Sequence, residues 1–361
     1  MPLLELTGVE KRWPGMTVSL DLTLDEGELL AVTGPSGCGK STALRLVAGL
    51  ATPDAGEMLL DGRSLAGVQP RDRGVGMVFQ DHALFPHLNV LGNVCYGLVG
   101  RGLVGRGLDR RAREGRAREL LAAMGLEGFG RRMPAELSGG ERQRVALART
   151  LAVEPRIVLF DEPLSSLDAA LRKRLRAELR ESQRRLGFSA IYVTHDLEEA
   201  LAIADRVAVM ESGRFLQCAP PAELWTAPAF AAVARFLGSG PCLPLTGLAA
   251  ADGTMIASTA EGSFPVGRGS DPDGCVFFGR AEAVPRSGTG PVPAGFGRFT
   301  ARCLRADFVG DAMDCAMESG GERFSLRFPR DGAPAEGASG EFLVPADRVR
   351  ILPADPPARI R

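Results

Sequence analysis

The run GPSGCGKS at 34–41 follows the short apolar stretch GELLAVTG (27–34) and opens the helical pattern KSTALRLVAGL (40–50). A strand, a glycine turn and a helix in that order constrain the chain strongly. They predict a buried parallel strand feeding a helix, the building unit of a layered α/β sheet. Glycines at 34, 37 and 39 let backbone N–H groups turn inward around phosphate oxygens, and the helix start adds its partial positive charge. Only three of the 43 basic residues are lysine, namely Lys11, Lys40 and Lys173. Lysine is a compact point charge that reaches β- and γ-phosphates from within the loop, whereas arginine's planar fork has another shape. The hydroxyl of Ser41 is placed to ligate Mg²⁺.

A chain of 361 residues suggests two or three domains. Up to about residue 235 short apolar runs end in turn chemistry, as in RIVLFDEP (156–163), AIYVTHD (190–196) and RVAVMESGR (206–214). Helical patterns lie between them, with leucines at 167, 171, 175 and 179 in one case. Strands alternating with helices imply a sheet covered on both faces. Residues 100–135 carry no strand signal and read as a helical insertion with seven arginines between 101 and 118, a solvated face. From about 240, Pro and Gly rise and short alternating runs appear: RFTARCL (298–304), DCAME (314–318) and RFSLRF (323–328). They predict a small β-barrel or sandwich, with Phe324, Leu326 and Phe328 on one face. The expected division is 1–238, with a helical subdomain at about 92–155, then 239–361.

A net charge of −1 offers no global field for nucleic acid or acidic lipid. Seven cysteines, odd in number and never in a CxxC pair, are expected as free thiols in a reducing compartment. The opening MPLLELTGVEKRW lacks a signal-peptide pattern, and no run of 18 apolar residues occurs. A cytosolic protein is expected.

Asp161, at the end of an apolar strand, suits the second half of a Mg²⁺ site. Glu162, one residue on, suits a general base that polarises the attacking water. No NKxD supports a GTPase, and a small-molecule kinase does not explain LSGGERQRVALART (137–150). That stretch resembles the signature of ATP-binding cassette (ABC) ATPases, and the resemblance covers the chain to about residue 240. It implies an α/β P-loop NTPase core with a helical subdomain, followed by a small all-β domain like an oligonucleotide-binding (OB) fold. It also implies that Gly34, Pro35, Ser36, Gly37, Cys38, Gly39, Lys40, Ser41 and Thr42 hold ATP. Ser41, Gln80 and Asp161 would hold Mg²⁺, and Glu162, His195 and Gln80 would be catalytic. Trp13 resembles the aromatic that stacks on adenine. Ser138, Gly139, Gly140 and Glu141, with Asp168 of the SSLD run (165–168), would meet the nucleotide of a second copy, so that two chains sandwich two ATP molecules.

Within the family, a soluble ATPase acting on DNA or ribosomes usually carries two cassettes or a long coiled coil, and neither is present here. The run FQDHALFPHLNVLGNVCYGL (79–98) favours an importer subunit instead, with Leu84, Phe85 and Leu88 as an exposed apolar floor for a membrane permease and His82 and His87 beside it. The alternative is that these residues pack the base of the helical insertion. Importer membership implies a peripheral place on the cytoplasmic face of the plasma membrane, an indirect link to an extracellular or periplasmic binding protein, and no nucleic-acid partner. The FQDHALFPHL version is nearest to ferric-iron importers, with polyamine importers second, and sugars or oxyanions remain open. The link SGPCLPL after FLG and Ala281, where proline is common, depart from the group.

Overall fold

The computed structural model describes residues 2–79, 83–98, 109–165, 168–251, 254–267, 274–286, 288 and 290–353. They form two compact units, Met1–Pro221 and Ala222–Ile360. The divide falls after the first residue of the short helix Pro221–Thr226 and ahead of Ala231–Leu237. The reason is packing: Ala231 and Ala234 share a buried apolar cluster with Cys242, Cys275, Phe277 and Leu352 of the second unit.

In the first unit the strands are β1 (Leu4–Trp13), β2 (Met16–Leu24), β3 (Leu29–Thr33), β4 (Ala55–Leu60), β5 (Arg63–Ser64), β6 (Val75–Val78), β7 (Ile157–Asp161), β8 (Ser189–Val193), β9 (Arg206–Glu211) and β10 (Arg214–Ala219). The helices are α1 (Lys40–Ala48), α2 (Val90–Tyr96), α3 (Arg110–Ala123), α4 (Gly139–Leu151), α5 (Ala169–Leu186) and α6 (Leu197–Ile203). All ten strands form one sheet in the order β5-β4-β1-β2-β10-β9-β3-β8-β7-β6. The four apolar runs are β3, β7, β8 and β9, and with β6 they make a parallel core. Period-two alternation splits their side chains between two cores. Leu30, Val32, Leu159 and Val193 enter one; Leu29, Val158, Phe160 and Tyr192 enter the other. Helices cover only part of this sheet. The first core is closed by α1 together with the antiparallel strands β1, β2 and β4, an arm that the alternation of strands and helices did not predict.

The insertion is helical where it is described. In α3, Arg110 and Arg118 pair with Glu114 on the exposed face, and Arg116 pairs with Glu119 and Glu154. Ala117, Leu120 and Leu121 turn inward. The second unit is all-β apart from those two helices and short 3₁₀ turns. One sheet joins Cys242–Pro244, Cys275–Phe277 and Arg350–Leu352. A larger antiparallel sheet is built on the long strand Phe296–Val309, which pairs with Ala312–Ser319 and Ser339–Pro345. Its core is a group of rings around Phe299, which lies 5.4 Å from Phe342 and 5.2 Å from Phe278. Leu326 and Phe328 are buried on the predicted face and Phe324 is half-buried. This is the expected OB-like domain. All seven cysteines are free.

Candidate active site

The ends of β3, β7 and β8 bring the predicted chemistry together. Past β3 the chain turns through Gly34, Gly37 and Gly39, with φ of 156°, 79° and 111°. Gly34 and Gly39 are also required by space. A Cβ on Gly34 would stand 1.9 Å from the Met210 carbonyl oxygen, and one on Gly39 would stand 2.9 Å from Val18 Cγ2. Pro35, Ser36 and Gly37 are exposed, whereas Lys40 is 6% exposed. Its Nζ donates to the carbonyl oxygens of Gly34 (2.8 Å) and Pro35 (2.9 Å), across the mouth of the loop, and Cys38 Sγ lies 3.9 Å away. No side chain caps α1, so its first-turn N–H donors are left for a ligand.

Ser41 Oγ donates to Asp161 Oδ1 at 3.3 Å, linking the loop to the end of β7. Burial, and then the neighbouring charge of Glu162, raise the Asp161 carboxyl above the usual carboxylate range, against the lowering effect of Ser41. Glu162 has φ of 47°, the left-handed region that a glutamate rarely occupies, and its N–H donates to the Val193 carbonyl. That strained turn aims its carboxylate at the next strand end, where Oε2 lies 3.0 Å from Nδ1 of His195. His195 is half exposed and Glu162 less so. A carboxylate oriented by an imidazole beside a phosphate-shaped loop can orient a water for attack on phosphorus.

Sequence reasoning missed the support behind His195. Tyr192 O–H and Thr194 Oγ1 both donate to the carboxylate of the buried Glu199, the latter at 2.5 Å. Thr194 Oγ1 also accepts from Asp196 N at 3.0 Å, and Asp196 Oδ1 caps α6 by accepting from Glu199 N. Burial, then the Glu199 charge, push the Tyr192 phenol well above its usual range, so it stays a donor. The Asp-x-x-Glu spacing at 196–199 is an N-terminal helix signal and was there to be read. Arg172 Nη1 reaches Asp196 Oδ2 at 3.1 Å and ties α5 to the same loop.

The remaining predicted residues sit at other helix starts, beside the glycine loop or outside the described residues. Asp168 caps α5, accepting from Leu171 N at 2.9 Å. Ser138 caps α4, and Glu141 closes a capping box, its Oε2 accepting from Ser138 N at 2.7 Å. Hydrogen bonds from Ser138 hold the Glu141 carboxyl low. Gly139 leads α4, and a Cβ on Gly140 would meet Leu175 Cδ2 at 2.8 Å. The α4 helix packs on α2, α3 and β6, whereas α1 packs on β2, β6, β7 and β8. Thr42 is half-buried in α1. Trp13 ends β1 and is 46% exposed, with Lys11 Nζ 5.3 Å from its ring. Its cross-strand partner Met16 would come within 3.4 Å of a Cβ on Gly39, so the β1–β2 turn borders the glycine loop. Gln80 and His82 lie outside the described residues, as do 166 and 167 of the SSLD run. Leu84, Phe85 and Leu88 are half-buried, not exposed as the sequence suggested. Leu84 packs on the helical core, the Phe85 ring lies tilted against the exposed Tyr96 with centroids 4.3 Å apart, and Asn93 bonds both the N–H and the carbonyl of Phe85.

A glycine loop with a buried lysine, opposite paired strand-end carboxylates on a parallel sheet, defines a P-loop nucleoside triphosphatase. The family described as ABC transporter matches residues 18–165. The Fe(3+) ions import ATP-binding protein FbpC of Brucella abortus is 42% identical over 314 residues, 86% of each chain. FbpC 1 of Rhizobium meliloti is 50% identical over 219 residues, and that alignment spans 61% of each chain. The sn-glycerol-3-phosphate import ATP-binding protein UgpC of Chromohalobacter salexigens is 46% identical over 270 residues, 73% of this chain and 71% of that one. Among solved structures, cbiO1 from Clostridium perfringens, part of the ABC transporter complex cbiONQ, matches with a TM-score of 0.57 at 28% identity, covering 63% of this chain and 91% of that one. The chain belongs to the ABC transporter family and is an ATP-binding, ATP-hydrolysing subunit of the import type. No described helix is long and apolar enough to cross a membrane.

Proposed function

We propose that this chain powers uptake of ferric iron by binding and hydrolysing ATP on the cytoplasmic face of a membrane permease. The contact between Glu162 Oε2 and His195 Nδ1 at 3.0 Å carries the hydrolytic part of this reading. Lys40 and the loop Gly34–Gly39, with Ser41 and Thr42, hold the phosphates; Trp13 stacks on adenine. Glu162 takes the proton of the attacking water, and His195 holds Glu162 in place and faces the γ-phosphate.

The oxygen donors Ser41 and Asp161 suit a Mg²⁺ ion. They already lie 3.3 Å apart, and Asp161 and Glu162 repel one another unless a cation is near. Gln80 completes that set. A Mg²⁺ ion held by these oxygens would supply positive charge against the phosphates. Ser138, Gly139 and Gly140 present a second helix start to the nucleotide of a second copy, Glu141 holds that start in shape, and Asp168 lies at the same seam.

The permease docks near Leu84, Phe85 and Leu88, with the exposed ring of Tyr96 extending that face. A separate binding protein presents the cargo to the permease, so this chain does not touch it. Ferric iron is favoured by the names of the Brucella and Rhizobium relatives. Glycerol phosphate is the second reading, on the name of the Chromohalobacter relative, and polyamines, other sugars and oxyanions follow. Deleting the gene and measuring uptake of labelled ferric iron, glycerol phosphate and spermidine tests the choice. Loss of iron uptake alone is expected, and unchanged iron uptake with loss of either other cargo would overturn it.

A further inference from the structure

The second unit contains a cavity of about 310 Å³, with Trp225 and Phe277 in its wall and four arginines, Arg280, Arg327, Arg348 and Arg350, lining it against two acids, Glu282 and Asp347. That volume lies at the lower end of the range for small-ligand pockets, about 300–1,000 Å³. Clustered arginines are ordinarily consumed by internal ion pairs, so the pairing must be followed residue by residue. Asp314 accepts from Arg327 at 2.7 and 2.9 Å and from Arg280 at 3.0 Å, so one carboxylate serves two cations. Hydrogen bonds from Arg327 hold the Asp314 carboxyl below its usual range, so it is ionised and fully engaged at neutral pH.

The other two arginines are poorly matched. Arg348 stands 3.9 Å from Glu282 and 3.7 Å from Asp347, beyond good hydrogen-bond distance. Arg350, opposite Phe277 in the strand register, has no ion-pair partner among the described residues. The Nε of Arg280 is buried and has no hydrogen-bond partner among them either. A buried guanidinium donor without an acceptor is costly. Guanidinium forks match carboxylate and phosphate groups two oxygens at a time.

We propose that this cavity binds a small multivalent oxyanion, a polycarboxylate or a phosphate, with Arg348 and Arg350 as its open forks. The site is separate from the nucleotide loop and does not depend on which cargo is transported.

Calorimetric titration of the full chain tests it, with saturating ADP present to occupy the glycine loop, and citrate and inorganic phosphate as probes. At least one probe should bind with a dissociation constant below ~1 mM, weakened about tenfold or more in Arg348→Ala/Arg350→Ala. Tighter citrate binding assigns a polycarboxylate, and tighter phosphate binding assigns a phosphate. Weaker binding than ~1 mM for both, or a smaller loss in the double variant, would overturn the proposal. Both arginines are exposed, so the double variant is expected to fold; if its circular dichroism is lost, Arg350→Gln is read by the same criterion.

Discussion

Lys40 shows how much a single side chain can be asked to do here. The residue is 6% exposed, and its ammonium holds two loop carbonyls at 2.8 and 2.9 Å. A guanidinium would bring more atoms into a space that the Gly34 and Pro35 carbonyls and Cys38 Sγ already border. Lys40→Arg keeps the charge but not the shape. Nucleotide affinity or turnover should fall by at least about tenfold, or roughly 1.4 kcal/mol, in a fluorescent-ATP titration combined with phosphate release. Unchanged values would mean that charge alone suffices. The lysine was legible in the sequence because the chain otherwise writes positive charge as arginine. The burial of Glu199 was not. In DLEEALAIADR it reads as one more solvated acid, and only the fold brings Tyr192 and Thr194 onto its carboxylate.

Elements inherit these local choices. The loop between β8 and α6 carries His195, and Glu199 fixes it from behind through Tyr192, Thr194 and the cap at Asp196. Glu199→Ala would leave two buried hydroxyls without their acceptor, so His195 would lose its alignment with Glu162. We expect kcat to fall by about tenfold or more with little change in KM, and Glu199→Gln, which keeps an acceptor, to recover much of it. Equal loss in both variants would assign Glu199 to ionic rather than hydrogen-bonding support. Phe85 tests a second element, the turn before α2. Phe85→Asp would place a carboxylate against Tyr96 and in any permease interface, at a cost of a few kcal/mol. Fold and basal ATPase activity should survive while co-purification with the permease is lost; unfolding would place Phe85 in the core instead.

The parallel strands were legible as apolar runs because both of their faces are buried. The antiparallel arm was not. In β1 the register shifts between Leu6 and Val9, where Gly8 has φ of 55°, so its apolar positions fall out of alternation. The alternation of β2 could have been read, since Val18, Leu20, Leu22 and Leu24 all point inward.

At the scale of the whole molecule, α1 and α4 each begin a helix next to a glycine, yet they are carried by different parts of the first unit. Under the proposed function they are halves of two sites, each completed by a second chain, with Glu162 setting the lifetime of the pair. Glu162→Gln keeps the size of the side chain and its contact with His195 but removes the base. Turnover should fall by about 10² or more, since general-base help is worth roughly 10²–10⁴-fold. With hydrolysis blocked, ATP should hold two copies together. Analytical ultracentrifugation of Glu162→Gln with Mg²⁺ and ATP, paired with a phosphate-release assay, measures both at once. An ATP-dependent dimer that turns over at no more than about one hundredth of the wild-type rate is expected. A monomer hydrolysing ATP at the wild-type rate would contradict it.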